Sequence, residues 1–367
     1  LRWMQAGEIF HVPTVFGDNA AAYAPKNGGL IYAAIMTLTH RDLLLNVLSL
    51  AYLLFAACAL FEICRELNGG PTARCGAAAL FMSTPFIMDK AFSSDVDIMA
   101  LAFLTGGVYY YLCCLKDKQL LPALCGGLCL GLAVGAKTAY APFGGIVAAA
   151  LLLLFIWRKR WTGTLGVFGL MFIGGGFWYI FNLLKYGSPL FPAEVAVGKI
   201  TIFPGAYGED ALRAGEFYVT NVSLLTRQFF HDCAYLTGAV LVIGLIGLLI
   251  NQLSAKTDKR NNLIVLILGL AWLLIYYFII PHNQQIRFLF PTLAMAFIGL
   301  SLLLEKLPLN TRFVVYAGAL MFYCGGNAGR MYKALNGLTW WPAVWLLILL
   351  VAAVVLVIRF RGYYLTA

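Results

Sequence analysis

Residues 92–115 read FSSDVDIMALAFLTGGVYYYLCCL, and after Asp95 and Asp97 no charged side chain appears before Leu115. Coiled as a helix, the run from Asp97 is long enough to cross a hydrocarbon core of roughly 30 Å. It cannot be a strand, because an open sheet edge leaves backbone groups unpaired in lipid. The same pattern recurs outward from it. Apolar runs at about 42–64, 71–89, 97–115, 120–136, 139–157, 163–183, 234–251, 262–281, 287–304, 312–328 and 340–358 predict about eleven spans. The stretch 120–157 reads either as one span and a re-entrant piece or, preferably, as two short helices meeting at Lys137 and Thr138. Composition agrees: 62% of the 367 residues are hydrophobic and 11% charged, against about half and a quarter in a soluble domain. The fold class that follows is an all-α integral membrane protein, a polytopic helical bundle. Two long polar segments divide it into 1–41, a first membrane bundle over 42–183, a loop over 184–233 and a second bundle over 234–367.

The net charge of +10 does not imply nucleic acid, because the basic residues sit in short connections between apolar runs. Arg65, Lys116, Lys118, Arg158, Lys159, Arg160, Lys256, Lys259, Arg260, Lys306, Arg359 and Arg361 fall on one side of an alternating topology. The short connections opposite hold only Lys90, Lys137, Arg287, Arg330 and Lys333. The positive-inside rule then places the long polar segments outside, with the N-terminus of this chain outside and the C-terminus cytoplasmic. Within 1–41, GGLIYAAIMTL at 28–38 is too short to span and reads as a helix lying in the interface. The nine cysteines show no zinc-finger spacing and no disulfide framework, and read as small packing residues. The sequence opens on a polar segment at Leu1 rather than on a methionine, and neither a signal peptide nor a starting span is read within it, as expected if an upstream part has been removed or left out.

Several stretches, in order and on the expected sides, resemble one family. They are LRWMQAGEIFHVPTVFGDNAAAYAPKNGGLIYAAIM, MSTPFIMDKAFSSDVDIMALAFL, GLCLGLAVGAKTAYAP, FNLLKYGSPLFP and HNQQIRFLFPTLAMA. They are similar to GT-C-type glycosyltransferases, the class of the lipid A aminoarabinose transferases and protein O-mannosyltransferases, and cover most of residues 1–305. The resemblance implies a bundle with two long outer loops, both carrying interfacial helices. It also implies sugar transfer from a polyprenyl-phosphate-linked donor at the outer face of a bacterial inner membrane. In that family the catalytic acid lies just before the RW stretch, with which this sequence opens, so the resemblance carries that acid onto no residue here.

The polar residues near the expected outer face are then weighed singly. Asp95 and Asp97 open a span. One reading is a capping box in which Ser94 caps and Asp97, three residues on, completes it. The other is that one of them faces a cavity and binds an acceptor or a divalent cation, and the resemblance favours Asp95. Two residues apart on a helix, the pair is not expected to act together. Glu8 and Asp18 are the only carboxylates before Asp42, and Glu8 is a candidate substitute base. Lys137 ends an otherwise uncharged span, as a snorkelling lysine or as a point charge for a lipid phosphate. Arg287 follows a polar turn containing His282 and Asn283 and could hold phosphate bidentately. His282, Asn283, Tyr23 and Tyr186 are candidates for substrate contact, and no histidine has metal-ligand spacing.

The leading expectation is a membrane glycosyltransferase moving a hexosyl or pentosyl group. The alternative is a non-catalytic subunit of this fold within a larger membrane complex. A transporter is disfavoured, because charge sits at span ends rather than at mid-span.

Overall fold

The computed structural model describes residues 23–40, 43–93, 95–116, 119–192, 194–197, 200–205, 236–254, 259–279 and 286–335. Glu8, Ser94, His282, Asn283, the expected span 340–358 and most of the two long polar segments lie outside the described residues. Thirteen α-helices are described: α1 Asn27–Thr39, α2 Leu43–Glu66, α3 Pro71–Ser83, α4 Pro85–Phe92, α5 Val96–Lys116, α6 Leu120–Ala136, α7 Ala141–Trp157, α8 Trp161–Met171, α9 Phe177–Tyr186, α10 Leu236–Ser254, α11 Lys259–Phe278, α12 Phe290–Leu304 and α13 Leu309–Leu335. Short 3-10 turns at Thr138–Tyr140 and Ile286–Leu289 lead into α7 and α12, and a π turn at Phe172–Gly176 joins α8 to α9. A small antiparallel hairpin, β1 Val195–Val197 and β2 Ile200–Phe203, follows α9.

Ten of the eleven runs read from hydropathy recur as helix, and the expected interfacial helix is α1. Six helical stretches among the described residues are each long and apolar enough to cross a membrane unaided. The run 71–89 is two helices. Pro85 pushes Thr84 into extended backbone (φ −64°, ψ 123°) and then serves as the first residue of α4, where its missing N–H costs nothing. The break foreseen at Lys137 is present: α6 stops at Ala136 and Lys137 is extended (φ −155°, ψ 128°).

Small residues set how closely the helices approach. Gly127, Gly131 and Gly135 recur every four residues on one face of α6. A methyl there would lie 2.8 Å from the Val167 carbonyl oxygen, 2.8 Å from the Met171 Cα and 2.6 Å from the Gly175 Cα, respectively. Backbone therefore rests on backbone along α8 and the π turn, as small-residue spacing allows in lipid. Gly247 on α10 and Gly299 on α12 do the same for the second bundle. The two bundles share one core, in which Phe81 of α3 meets Phe297 of α12 edge to face at 6.4 Å. Leu165, Phe168, Ile173 and Leu184 face outward, as lipid-facing residues do.

Helix α5 runs through the middle, against α2 and α6, and its two ends carry the charge. At its C-terminal end Lys116 pairs with Glu66 at 2.9 Å, and Arg158 and Arg260 donate to the last carbonyls of the helix. At its N-terminal end stand Asp95 and Asp97, roughly 30 Å away at 1.5 Å per residue.

Candidate functional site

Three stretches distant in sequence, 90–97, 137–140 and 287–288, converge at the start of α5. Asp95 precedes the helix and caps it, its Oδ1 accepting from the Asp97 N–H at 3.2 Å. Its Oδ2 accepts from Lys90, which ends α4, at 2.8 Å. Asp97, the second residue of α5, is fully buried and pairs with Lys137 at the break between α6 and α7. Arg287, in the 3-10 turn before α12, lies 3.5 Å from Asp95 Oδ2 through Nη1 and 3.7 Å from Asp97 Oδ2 through Nε. At such lengths Arg287 is an ion partner rather than a close hydrogen-bond donor. Among the described residues, neither Asp97 Oδ2 nor Arg287 Nε has a hydrogen-bond partner. Phe288 lies beneath both cations, 4.9 Å from the Lys137 ammonium and 5.3 Å from the Arg287 guanidinium. Tyr140, fully buried, donates to the Asp97 carbonyl at 3.3 Å.

Ser94, on which the expected capping box rests, lies outside the described residues; what is described is that Asp95 Oδ1 caps the Asp97 N–H while Asp97 is buried. One expectation is corrected: the two carboxylates do not point apart. Helical spacing would separate their faces, but Asp95 is not yet in the helix, so both reach Arg287. Lys90, Tyr140 and Phe288 were not singled out as site residues by the sequence reading. The available signal was the occurrence of several charges at one end of neighbouring apolar runs.

Among the described residues, the ion pairs here set three cations, Lys90, Lys137 and Arg287, against two carboxylates, Asp95 and Asp97, while Asp89 stands exposed on α4 next to Lys90. The Arg287 side chain is 31% exposed and Lys90 30%, whereas Asp97 is sealed off. Burial by itself would raise the Asp95 carboxyl. The hydrogen bond from Lys90 and the charges of Lys137 and Lys90 outweigh it and hold the group at about 2. A carboxylate held so low stays ionised and anchors cations, and it is a weak proton acceptor at neutral pH. Among the described residues no three His, Cys, Asp or Glu side chains gather as a metal site would require.

Helix α1 is packed across this end. Gly28 abuts the Val96 side chain, where any Cβ would clash. The Asn27 side chain donates to the Gly174 carbonyl at 2.5 Å and accepts from Trp178 Nε1 at 2.9 Å. Tyr32 shares a hydrogen bond with Ser49 at 3.3 Å, and its phenol is pushed up by burial, with the Asp95 charge adding to the effect. Tyr23 and Tyr186 come together, edge to face at 5.2 Å, and Phe191 stacks on Tyr186 at 4.7 Å. This cluster, with Asn182 donating to the Tyr23 carbonyl at 3.0 Å, ties the first polar segment to the end of α9.

The sequence matches no protein-family model and no curated protein. In structure the chain is similar to ArnT from Cupriavidus metallidurans, solved bound to undecaprenyl phosphate, with a TM-score of 0.57 at 11% identity. The similarity covers 89% of this chain and 57% of that one, so the chain spans little more than half the length of the protein it matches. At this distance the likeness is one of fold alone, the all-α GT-C-type membrane fold.

Proposed function

We propose that this chain takes part in moving a sugar from a polyprenyl-phosphate-linked donor to an acceptor at the outer face of a bacterial inner membrane. The observation that carries the reading is the meeting of Lys137 and Arg287 at the Asp95 end of a GT-C-type bundle, with Arg287 partly open. In the reaction the acceptor hydroxyl oxygen bonds to the anomeric carbon. The bond from that carbon to the phosphate oxygen breaks with its electron pair, and the hydroxyl proton passes to a base. The leaving phosphate gains charge in the transition state, so cations placed there lower the barrier. Arg287 offers a planar fork and Lys137 a point charge. Asp95, fixed as an anion, holds Lys90 and Arg287 in position. Glu8 remains the candidate base, with His282, Asn283, Tyr23 and Tyr186 as candidate substrate contacts.

One observation favours a second reading, a non-catalytic subunit of a membrane complex: Asp95 and Asp97 are already matched by cations. Purified protein incubated with undecaprenyl phosphate and with undecaprenyl-phosphate sugars separates the two. Binding with release or transfer of sugar supports catalysis, binding without turnover supports the subunit, and absence of lipid-phosphate binding sinks both. Charge-assisted hydrogen bonds contribute about 1.5–3 kcal/mol, so Arg287→Ala is expected to weaken donor-lipid use roughly 10- to 150-fold. Arg287→Lys should recover only part of this, because the fork is lost.

A further inference from the structure

The opposite end of α5 carries a second cationic arrangement that sugar transfer does not use. Arg158, in the turn between α7 and α8, donates through Nη1 to the Cys114 carbonyl at 2.7 Å and through Nη2 to the Leu115 carbonyl at 3.4 Å. Arg260, at the start of α11, donates through Nη2 to the same Leu115 carbonyl at 2.8 Å. Because both reach one oxygen, the two Nη2 atoms lie within about 6 Å of each other. Among the described residues no carboxylate pairs with either arginine. The negative end of the α5 dipole offsets part of their mutual repulsion. Each guanidinium has five N–H donors, so most remain unused by the helix.

Pinning matters here. A free surface arginine loses side-chain entropy when it grips an anion, whereas these two are already held by the helix end. A phosphate accepting at the usual charge-assisted length of about 2.8 Å from each fork spans such a gap. The surroundings indicate which phosphate. Trp157 and Trp161 flank the Arg158 turn and are 81% and 61% exposed, as aromatic rings at headgroup depth are. Exposed Leu153, Ile156 and Leu165 continue the surface toward the acyl region. Lys159 and Lys259 stand exposed next in sequence to the two arginines.

We infer that Arg158 and Arg260, converging on the C-terminus of α5, form a binding site for the headgroup phosphate of an anionic phospholipid of the phosphatidylglycerol or cardiolipin type. The site is independent of the sugar-transfer reading and lies at the other end of the bundle. Its occupant braces the α7–α8 turn and the start of α11 against the central helix.

Native mass spectrometry on the full chain, released from nanodiscs of mixed phosphatidylglycerol and phosphatidylcholine, tests it. Wild type should retain phosphatidylglycerol in preference to phosphatidylcholine. With each basic residue at a membrane surface contributing about fivefold, Arg158→Gln and Arg260→Gln should each lower that preference by about this factor, and the double variant about 30-fold. The double lysine variant keeps both charges but not the forks, and should lose part of the preference. Full retention in it would reduce the site to diffuse attraction and overturn the inference. Millimolar glycerol phosphate should not displace the lipid, and displacement would mean that a free anion, not a membrane lipid, is the ligand. Should the variants not fold, brominated lipids report on wild type. Brominated phosphatidylglycerol should quench tryptophan emission more than brominated phosphatidylcholine, with the excess lost in Trp157→Phe. Equal quenching by the two lipids refutes the site.

Discussion

Two aspartates two residues apart lead opposite lives. Asp95 is a cap and a surface anchor, whereas Asp97 is a buried anion whose charge is matched by Lys137. Removing one partner of a buried pair leaves the other charge uncompensated, so Asp97→Asn should destabilise the folded protein by roughly 3–5 kcal/mol. Asp95→Asn keeps a capping group but loses the charge that Lys90 and Arg287 match, and should cost less, about 1–2 kcal/mol. Thermal unfolding in detergent measures both, and Lys137→Met added to Asp97→Asn should return part of the loss. A larger loss for Asp95→Asn would reverse the assignment. Acid gives a second check. Because the folded Asp95 carboxyl is held at about 2, below its ordinary 3.8, its stabilisation is complete above the ordinary value and disappears as pH falls through about 2. The stability gap between wild type and Asp95→Asn should therefore be flat from pH 8 to about 5 and close below about 4. None of this division was legible in the sequence, which shows two acids at a helix start. Their partners, Lys137 and Arg287, come from distant segments, and a single sequence does not reveal which distant charges meet.

Elements were far more legible, because length and hydropathy are enough to identify a helix in lipid. The break at Lys137 was also readable, since a lysine between two apolar runs has to reach an aqueous or charged environment. The split at Pro85 and the π turn were not. The first needs the local backbone of Thr84, and the second the packing of Phe172–Gly176 on α6. That packing depends on the bare face of α6. Gly131→Ala drives a methyl into the backbone of Met171, with no flexible side chain to yield, and should destabilise by about 1–3 kcal/mol. Gly169→Ala, where nothing lies within 4 Å of the added methyl, should be neutral or stabilising by up to about 1 kcal/mol. Melting temperatures of the two variants in the same detergent decide it. Equal effects would mean that close packing at Gly131 is not what holds α8 and the π turn to α6.

At the scale of the whole molecule the charges sort to the two ends of α5. One end is a mixed site in which acids and bases interlock. The other holds the Lys116–Glu66 pair and two arginines fastened to helix carbonyls. The asymmetry fits the proposed orientation, with the Asp95 end outward. In a variant without native cysteines, a cysteine at Gly205 should react with an impermeant maleimide applied outside intact cells. One at Lys159 should react only after the membrane is opened. The reverse pattern would turn the proposed topology over.

The 17 residues of α6 also bear on the bilayer itself. Closed at one end by Gln119 and at the other by Lys137, the helix offers only about 26 Å of apolar length. That is shorter than an average hydrocarbon core, yet past Leu121 no side chain of α6 is exposed, so the shortfall lies inside the bundle rather than against lipid. Lys137, drawn toward Asp97, closes the helix below the outer boundary of the hydrocarbon layer. The charged floor at this end therefore sits within the thickness of the membrane, and an anion reaching it from the partly open Arg287 side leaves bulk water behind before it meets Lys137.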